Sequence, residues 1–269
     1  MFRTVLALCL LLTGPAGAGP IQELRVCADP NNLPFSNERR QGFENRIVEL
    51  LAADLGVPVA YTWWPQRRGF IRNTLKEGLC DLIPGVPSGL EMVTTTAPYY
   101  RSGYVFVAKA QDGPVITSFD DPRLRSLRIG VQMIGDDFAN TPPAHALTRR
   151  GIVDNVRGYM VYGDYGREDG AAGIVEAVST GAVDVAIVWG PVAGYYAGRQ
   201  PVPLALTLVA PPADDPLFPM AFDISMGLRR GDQAFYDLVS NALNRNRAAI
   251  DAILSDFGVP RLERPRGGG

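Results

Sequence analysis

The chain has 269 residues, with 26 lysines and arginines against 28 aspartates and glutamates and a formal net charge of −2. Nothing in that balance points to the basic surface on which nucleic-acid binding depends. His145 is the only histidine, which excludes histidine triads and multi-histidine metal sites.

In chain order, residues 1–4 form a short positive segment, residues 5–12 an apolar run, and Ala16-Gly17-Ala18 a small-x-small cleavage site. This reads as a secretory signal peptide over residues 1–18, with a mature chain of about 250 residues. Cys9 lies inside the apolar run, where a lipid-modified cysteine does not sit. An exported chain then keeps Cys27 and Cys80, and a disulfide is the expected state in an oxidising compartment.

Residues 24–29 read as a buried strand running into the turn Asp29-Pro30-Asn31-Asn32-Leu33-Pro34. Phe43, Ile47, Leu50, Leu51 and Leu55 fall at helical spacing, and Gly56 stops that helix. A strand over 57–64, a short helix over 68–76 closed by Gly78, and a strand over 81–86 complete β-α-β-α-β, which favours a parallel sheet. With strand order 2-1-3, Cys27 and Cys80 lie on neighbouring strands. Residues 103–109 carry the chain into a second unit. There the spacing predicts strands over 128–132, 158–162 and 183–189, a helix at 138–147 interrupted by Pro142-Pro143, and a helix around Ile174, Ala177 and Val178 ended by Gly181. Strands over 204–209 and 223–228 are expected to return to the first unit. Helices through Phe235–Leu243 and Ile250–Phe257 follow, and the tail 263–269 has no core residues and is expected to be disordered.

Two echoes share one offset of 103 residues. Leu24-Arg25-Val26 matches Leu127-Arg128-Ile129, and Gly78-Leu79-Cys80-Asp81 matches Gly181-Ala182-Val183-Asp184. A repeat of this kind predicts two similar α/β lobes with a ligand cleft between them. The expected division is 19–106 with 198–262 for lobe 1 and 107–197 for lobe 2.

An export signal, Gly42-Phe43-Glu44 opening a helix, two Gly-x-x-Asp strands, Pro98-Tyr99-Tyr100, and Pro191 followed by Tyr195-Tyr196 together resemble the extracytoplasmic solute-binding proteins of the amino-acid type. That resemblance implies two Rossmann-like lobes, two crossover strands and hinge closure over a small ligand. Three blocks are closer still. Residues 26–36 (VCADPNNLPFS), residues 61–70 (YTWWPQRRGF) and Gly78-Leu79-Cys80-Asp81 resemble the J proteins of methanol-oxidation gene clusters. That resemblance implies a periplasmic binding-protein fold serving a pyrroloquinoline-quinone methanol dehydrogenase, with its cytochrome as a further candidate partner.

The resemblance to amino-acid receptors implies an arginine for the ligand carboxylate, but residues 88–92 (Ser88-Gly89-Leu90-Glu91-Met92) hold none. Asp136-Asp137 stand at an expected helix start, where they repel an anion that would otherwise be attracted there. The position of the amine-binding acid reads Val188-Trp189-Gly190. Free amino acids are therefore not the expected ligand. The candidate cleft or partner residues are Asp29, Asn32, Phe35, Glu44, Trp63, Trp64, Arg67, Arg68, Ser88, Tyr99, Asp136, Asp137 and Trp189. Tryptophan and arginine are enriched at binding hot spots, so Trp63-Trp64-Pro65-Gln66-Arg67-Arg68 is the foremost partner segment. Strand alternation turns one of the two tryptophans inward. Asp164, Glu168 and Asp169 extend an acidic lining, but no spacing matches a calcium loop. No catalytic elbow, phosphate loop or dinucleotide fingerprint is present, and no cofactor or catalytic activity is expected.

Overall fold

A computed structural model describes residues 21–134, 140–162, 165–209 and 218–263. The segments expected as signal peptide and most of the tail lie outside the described residues, as do Asp136, Asp137 and Asp164.

The first lobe opens with β1 (Leu24–Ala28), two short strands β2 (Asn31–Asn32) and β3 (Ser36–Asn37), and helix α1 (Phe43–Leu55). Strand β4 (Val59–Trp63), a single helical turn α2 (Phe70–Asn73), β5 (Leu82–Pro87) and β6 (Thr94–Thr95) follow. The long strand β7 (Tyr100–Lys109) leads to the second lobe. That lobe holds β8 (Ile129–Met133), α3 (Pro142–Arg149), β9 (Val156–Met160), α4 (Gly173–Ser179), β10 (Val185–Trp189), α5 (Gly190–Ala197) and β11 (Leu204–Leu208). The chain ends through β12 (Ala221–Leu228), α6 (Gln233–Arg245) and α7 (Arg247–Asp256).

The β1 strand pairs in parallel with β4 on one side and β5 on the other, and β8 pairs in parallel with β9 and β10. Both lobes therefore carry the 2-1-3 order predicted from the repeat. The echoed residues do the same work twice. The backbone N–H of Asp81 donates to Arg25, and that of Asp184 donates to Arg128. Each aspartate also pairs with that arginine's side chain, at 3.6 Å and 2.5 Å. Gly78 and Gly181 both sit at positive φ, +71° and +76°, where the turn into each of these strands favours glycine.

Strand β7 belongs to both sheets. Its first four residues pair antiparallel with β12, and residues from Tyr104 onward pair with β10. The segment at 204–209 departs from expectation. β11 pairs with Val105–Lys109 of β7 and so stays in the second sheet, and β12 alone makes the return, pairing with β5. Both segments alternate like strands, and alternation carries no information about which sheet they join. The pair Pro142-Pro143 also behaves differently: it opens α3 instead of interrupting a helix. Thr141 caps that helix, its Oγ1 accepting from the Ala144 N–H at 3.4 Å. Proline is at home in a first helical turn, where the missing N–H would have no partner anyway.

In the first lobe α1 packs against α6 and α7. Its buried face of Phe43, Ile47, Val48 and Leu51 joins Leu24, Val26 and Leu82 of the sheet in the main core. Cys27 and Cys80 form the expected disulfide, with Cα atoms 5.5 Å apart, inside a small cluster with Phe70, Leu75 and Ile83. Among the described residues no helix is long and apolar enough to cross a membrane.

Candidate functional site

The β7 strand bridges the lobes, and the space beside it is a cavity of about 360 Å³. From the first lobe come Asn32, Phe35, Glu44, Gln66, Gly85, Tyr100 and Phe222, and from the second Gln132, Tyr162, Trp189 and Val192. The position follows from the topology. Asn32 and Phe35 follow the carboxyl end of β1, Gln132 lies near that of β8, and Trp189 ends β10. Open parallel sheets bind ligands at such edges.

Six aromatic side chains line the wall: Phe35, Tyr100, Tyr104, Tyr162, Trp189 and Phe222. Trp189 packs edge-on against Tyr104 and Phe222, with ring centroids 5.4 Å and 5.8 Å away. Phe35 lies against Phe43 on the opposite side, and Tyr100 meets the same Phe43 ring at 6.0 Å. Gln132 is buried, and its side-chain oxygen accepts the Trp189 N–H at 2.8 Å. That bond joins the ends of β8 and β10 and fixes the tryptophan backbone at the cavity floor.

Among the described residues of this lining, Glu44 is the one ionisable carboxylate. It sits in the first turn of α1 and is only 7 % exposed. No hydrogen bond or ion pair holds its carboxylate among the described residues. Burial, and secondarily the charge of Asp29, push its pKa up to about 8. The side chain fits because residue 85 is glycine: a Cβ there would stand 2.1 Å from Glu44 Oε1.

The mouth of the cleft is bridged by a loop of the second lobe between β9 and α4. Asp29, 2 % exposed, accepts from the N–H groups of Asn31 at 2.8 Å and Gln66 at 2.6 Å, and from the Tyr165 hydroxyl across the cleft. Burial and that bond to Asp29 both raise the Tyr165 pKa. Asn31 Nδ2 donates to the Arg167 carbonyl at 2.9 Å. The Arg67 guanidinium lies 4.4 Å from the Tyr165 ring centroid and 5.7 Å from that of Tyr162. Arg39 pairs with Glu168 farther out. Four contacts of different chemistry thus latch the lobes together.

Of the residues singled out in the sequence, Asn32, Phe35, Glu44 and Trp189 meet at the cavity, and Asp29 and Arg67 meet at the latch. Trp63 is half-buried and stacked on Tyr61, with ring centroids 4.5 Å apart. Trp64 is 39 % exposed, and Arg68 is exposed with no charged or aromatic partner among the described residues. Ser88 is held away from the cavity by Ser225, their hydroxyls 2.5 Å apart. Tyr99 points into the core, donating to the Pro84 carbonyl at 3.1 Å, and its neighbour Tyr100 faces the cavity instead. Gln132, Tyr104, Phe222 and Tyr165 escaped sequence reading. The parity of Tyr100 and Tyr104 along one strand was a usable signal. The role of Tyr165, in a loop, left none.

Among the described residues no group of three or more histidine, cysteine, aspartate or glutamate side chains is arranged to hold a metal ion. The arrangement offers binding chemistry: an aromatic enclosure, one buried carboxylate, and amide groups from Asn32, Gln66 and Gln132.

Comparison with known proteins agrees with this architecture. The sequence model of the bacterial extracellular solute-binding proteins, family 3, matches residues 24–258. The chain is similar to the protein MoxJ of Paracoccus denitrificans, 30 % identical over 271 residues and covering 95 % of each chain. It is similar in structure to the periplasmic binding protein XoxJ from Methylobacterium extorquens AM1. That match has 34 % identity and a TM-score of 0.73, and covers 90 % of this chain and all of the other. MxaJ from Methlophaga aminisulfidivorans MPT matches at 25 % identity and a TM-score of 0.74, over 89 % of this chain and all of the other.

Proposed function

Because the chain belongs to the bacterial extracellular solute-binding proteins of family 3, and within them to the MoxJ/XoxJ type, we propose that it is a non-catalytic accessory of methanol oxidation in the periplasm. In this reading it binds a pyrroloquinoline-quinone methanol dehydrogenase and assists its maturation or activation. The cytochrome that accepts the enzyme's electrons is a further candidate partner. The observation that carries the reading is similarity to MoxJ along 95 % of both chains. It spans both lobes, so it concerns the whole molecule and not a shared module.

The partner surface proposed is the outer face after β4. Trp64 and Arg68 are exposed there, whereas Phe70 packs inside and Arg67 is engaged with Tyr162 and Tyr165. Binding energy at interfaces concentrates in a few tryptophans and arginines. Trp64→Ala with Arg68→Ala is expected to leave the circular dichroism spectrum unchanged and to weaken surface-measured binding to the purified dehydrogenase at least tenfold, about 1.4 kcal/mol. Unchanged affinity would move the interface elsewhere. Failure of the wild-type protein to associate with the dehydrogenase would remove the accessory reading. A second reading, a receptor for a small solute that is not an amino acid, is favoured by the aromatic-lined cavity between the lobes.

A further inference from the structure

Glu44 is a buried carboxylate without a counter-ion. The groups that face it are Asp29 from the end of β1, Tyr61 from β4, Tyr99 just before β7 and Tyr100 at its start. None of these carries positive charge. No lysine, arginine or histidine stands among the described residues that line the cavity. An isolated buried carboxylate is costly, and proteins ordinarily pair such a group or neutralise it. Here the missing partner has a place to sit, because the carboxylate borders a cavity of about 360 Å³. The rings around that space present electron-rich faces, which attract cations. The lining also has no cation to receive a ligand carboxylate, which removes zwitterionic amino acids.

We propose that the cavity binds a small organic cation lacking a carboxylate, an alkylammonium or quaternary ammonium compound. Glu44 is its counter-ion, and the rings of Tyr100, Tyr104, Trp189 and Phe222 enclose its alkyl shell. This inference rests on the receptor reading of the cleft and is independent of the dehydrogenase. It carries a signature that an uncharged ligand would lack. With its pKa pushed up to about 8 by burial, Glu44 holds its proton at neutral pH far more than an exposed glutamate does. A cation placed beside it favours the carboxylate, so binding releases close to one proton per cation.

Isothermal titration calorimetry on the disulfide-bonded protein, in two buffers of different ionisation enthalpy at neutral pH, tests this. The probes are choline, tetramethylammonium and methylammonium, with 3,3-dimethyl-1-butanol as the uncharged isostere of choline. At least one cation is expected to bind, about tenfold or more tighter than the alcohol, with a buffer-dependent heat that reports proton release. Glu44→Gln is expected to weaken that cation at least tenfold and to abolish the buffer dependence. The proposal is overturned if no cation binds by about 10 mM, a scale of weak affinity. It is equally overturned if the alcohol binds as well as the cations, or if cation binding releases no proton. Should the glutamine variant not fold, the isostere comparison and proton release on the wild-type protein decide the matter alone. Because the dehydrogenase is absent from this experiment, its outcome is separate from that of the interaction test.

Discussion

At the scale of single residues, Glu44 shows how one side chain links stability to binding. Its folded pKa, about 8, lies above the 4.5 of an unburied glutamate. The native state therefore holds a proton that the unfolded chain releases between these values. The stabilisation is complete below about pH 4.5 and is lost as pH rises through about 8. Glu44→Gln keeps the shape and discards the ionisation. The variant is expected to match the wild type near pH 5 and to exceed it in thermal stability near pH 8.5, by a few kcal/mol. Parallel melting curves across this range check it, and curves that stay parallel would show that Glu44 is not buried in solution. The same residue marks a limit of sequence reading. Gly42-Phe43-Glu44 gave the helix start, but the burial of Glu44 depends on Gly85, 41 positions away, leaving room against the strand. Nothing local to either residue announces that contact.

At the scale of elements, legibility tracks how local the determining physics is. Gly56 and Gly181 end helices where the spacing placed them, because a left-handed turn is a property of a few residues. The partner of β11 was not readable, since one alternating strand fits either sheet. Residues 63–68 stand in the sequence as the foremost partner segment with one tryptophan turned inward, and the folded chain divides the block further. Trp63 stacks on Tyr61, Phe70 lines the disulfide cluster, Arg67 joins the latch, and Trp64 and Arg68 remain outside. The disulfide was legible because β1 and β5 are neighbours in a 2-1-3 sheet and export makes oxidation the rule. It ties residues 53 positions apart. Closing a loop of that length restricts the unfolded chain by about 4 kcal/mol of loop entropy. Cys27→Ala with Cys80→Ala is expected to lower the unfolding free energy by about 2–4 kcal/mol in denaturant titrations. Maleimide labelling of the unreduced, denatured mature protein should find no free thiol, and two labelled cysteines would show that the bond is not made.

At the scale of the whole molecule, the lobes are joined by β7 and closed by the latch, and these two features set different properties. Strand β7 shares its backbone between both sheets, so it transmits orientation and resists separation. The latch is built of polar contacts around the buried Asp29, so its free energy lies within reach of one or two substitutions. The Arg67 guanidinium over two tyrosine rings contributes roughly 0.5–2 kcal/mol as a cation–π contact. The hydrogen bond from Tyr165 to the Asp29 carboxylate contributes about 1.5–3 kcal/mol. Together these exceed the 1.4 kcal/mol that shifts a two-state equilibrium tenfold. The free protein should therefore be closed in solution, and Arg67→Ala with Tyr165→Phe should open it while leaving secondary structure unchanged. Small-angle scattering is expected to give a larger radius of gyration for the double variant than for the wild type. The cation of the cavity should compact the variant again, because it binds residues of both lobes and favours the state that brings them together. A double variant as compact as the wild type would place control of closure in β7 and in the α5 contacts, the Tyr196 hydroxyl donating to the Leu33 carbonyl and Tyr195 stacked on Phe257, and not in the latch.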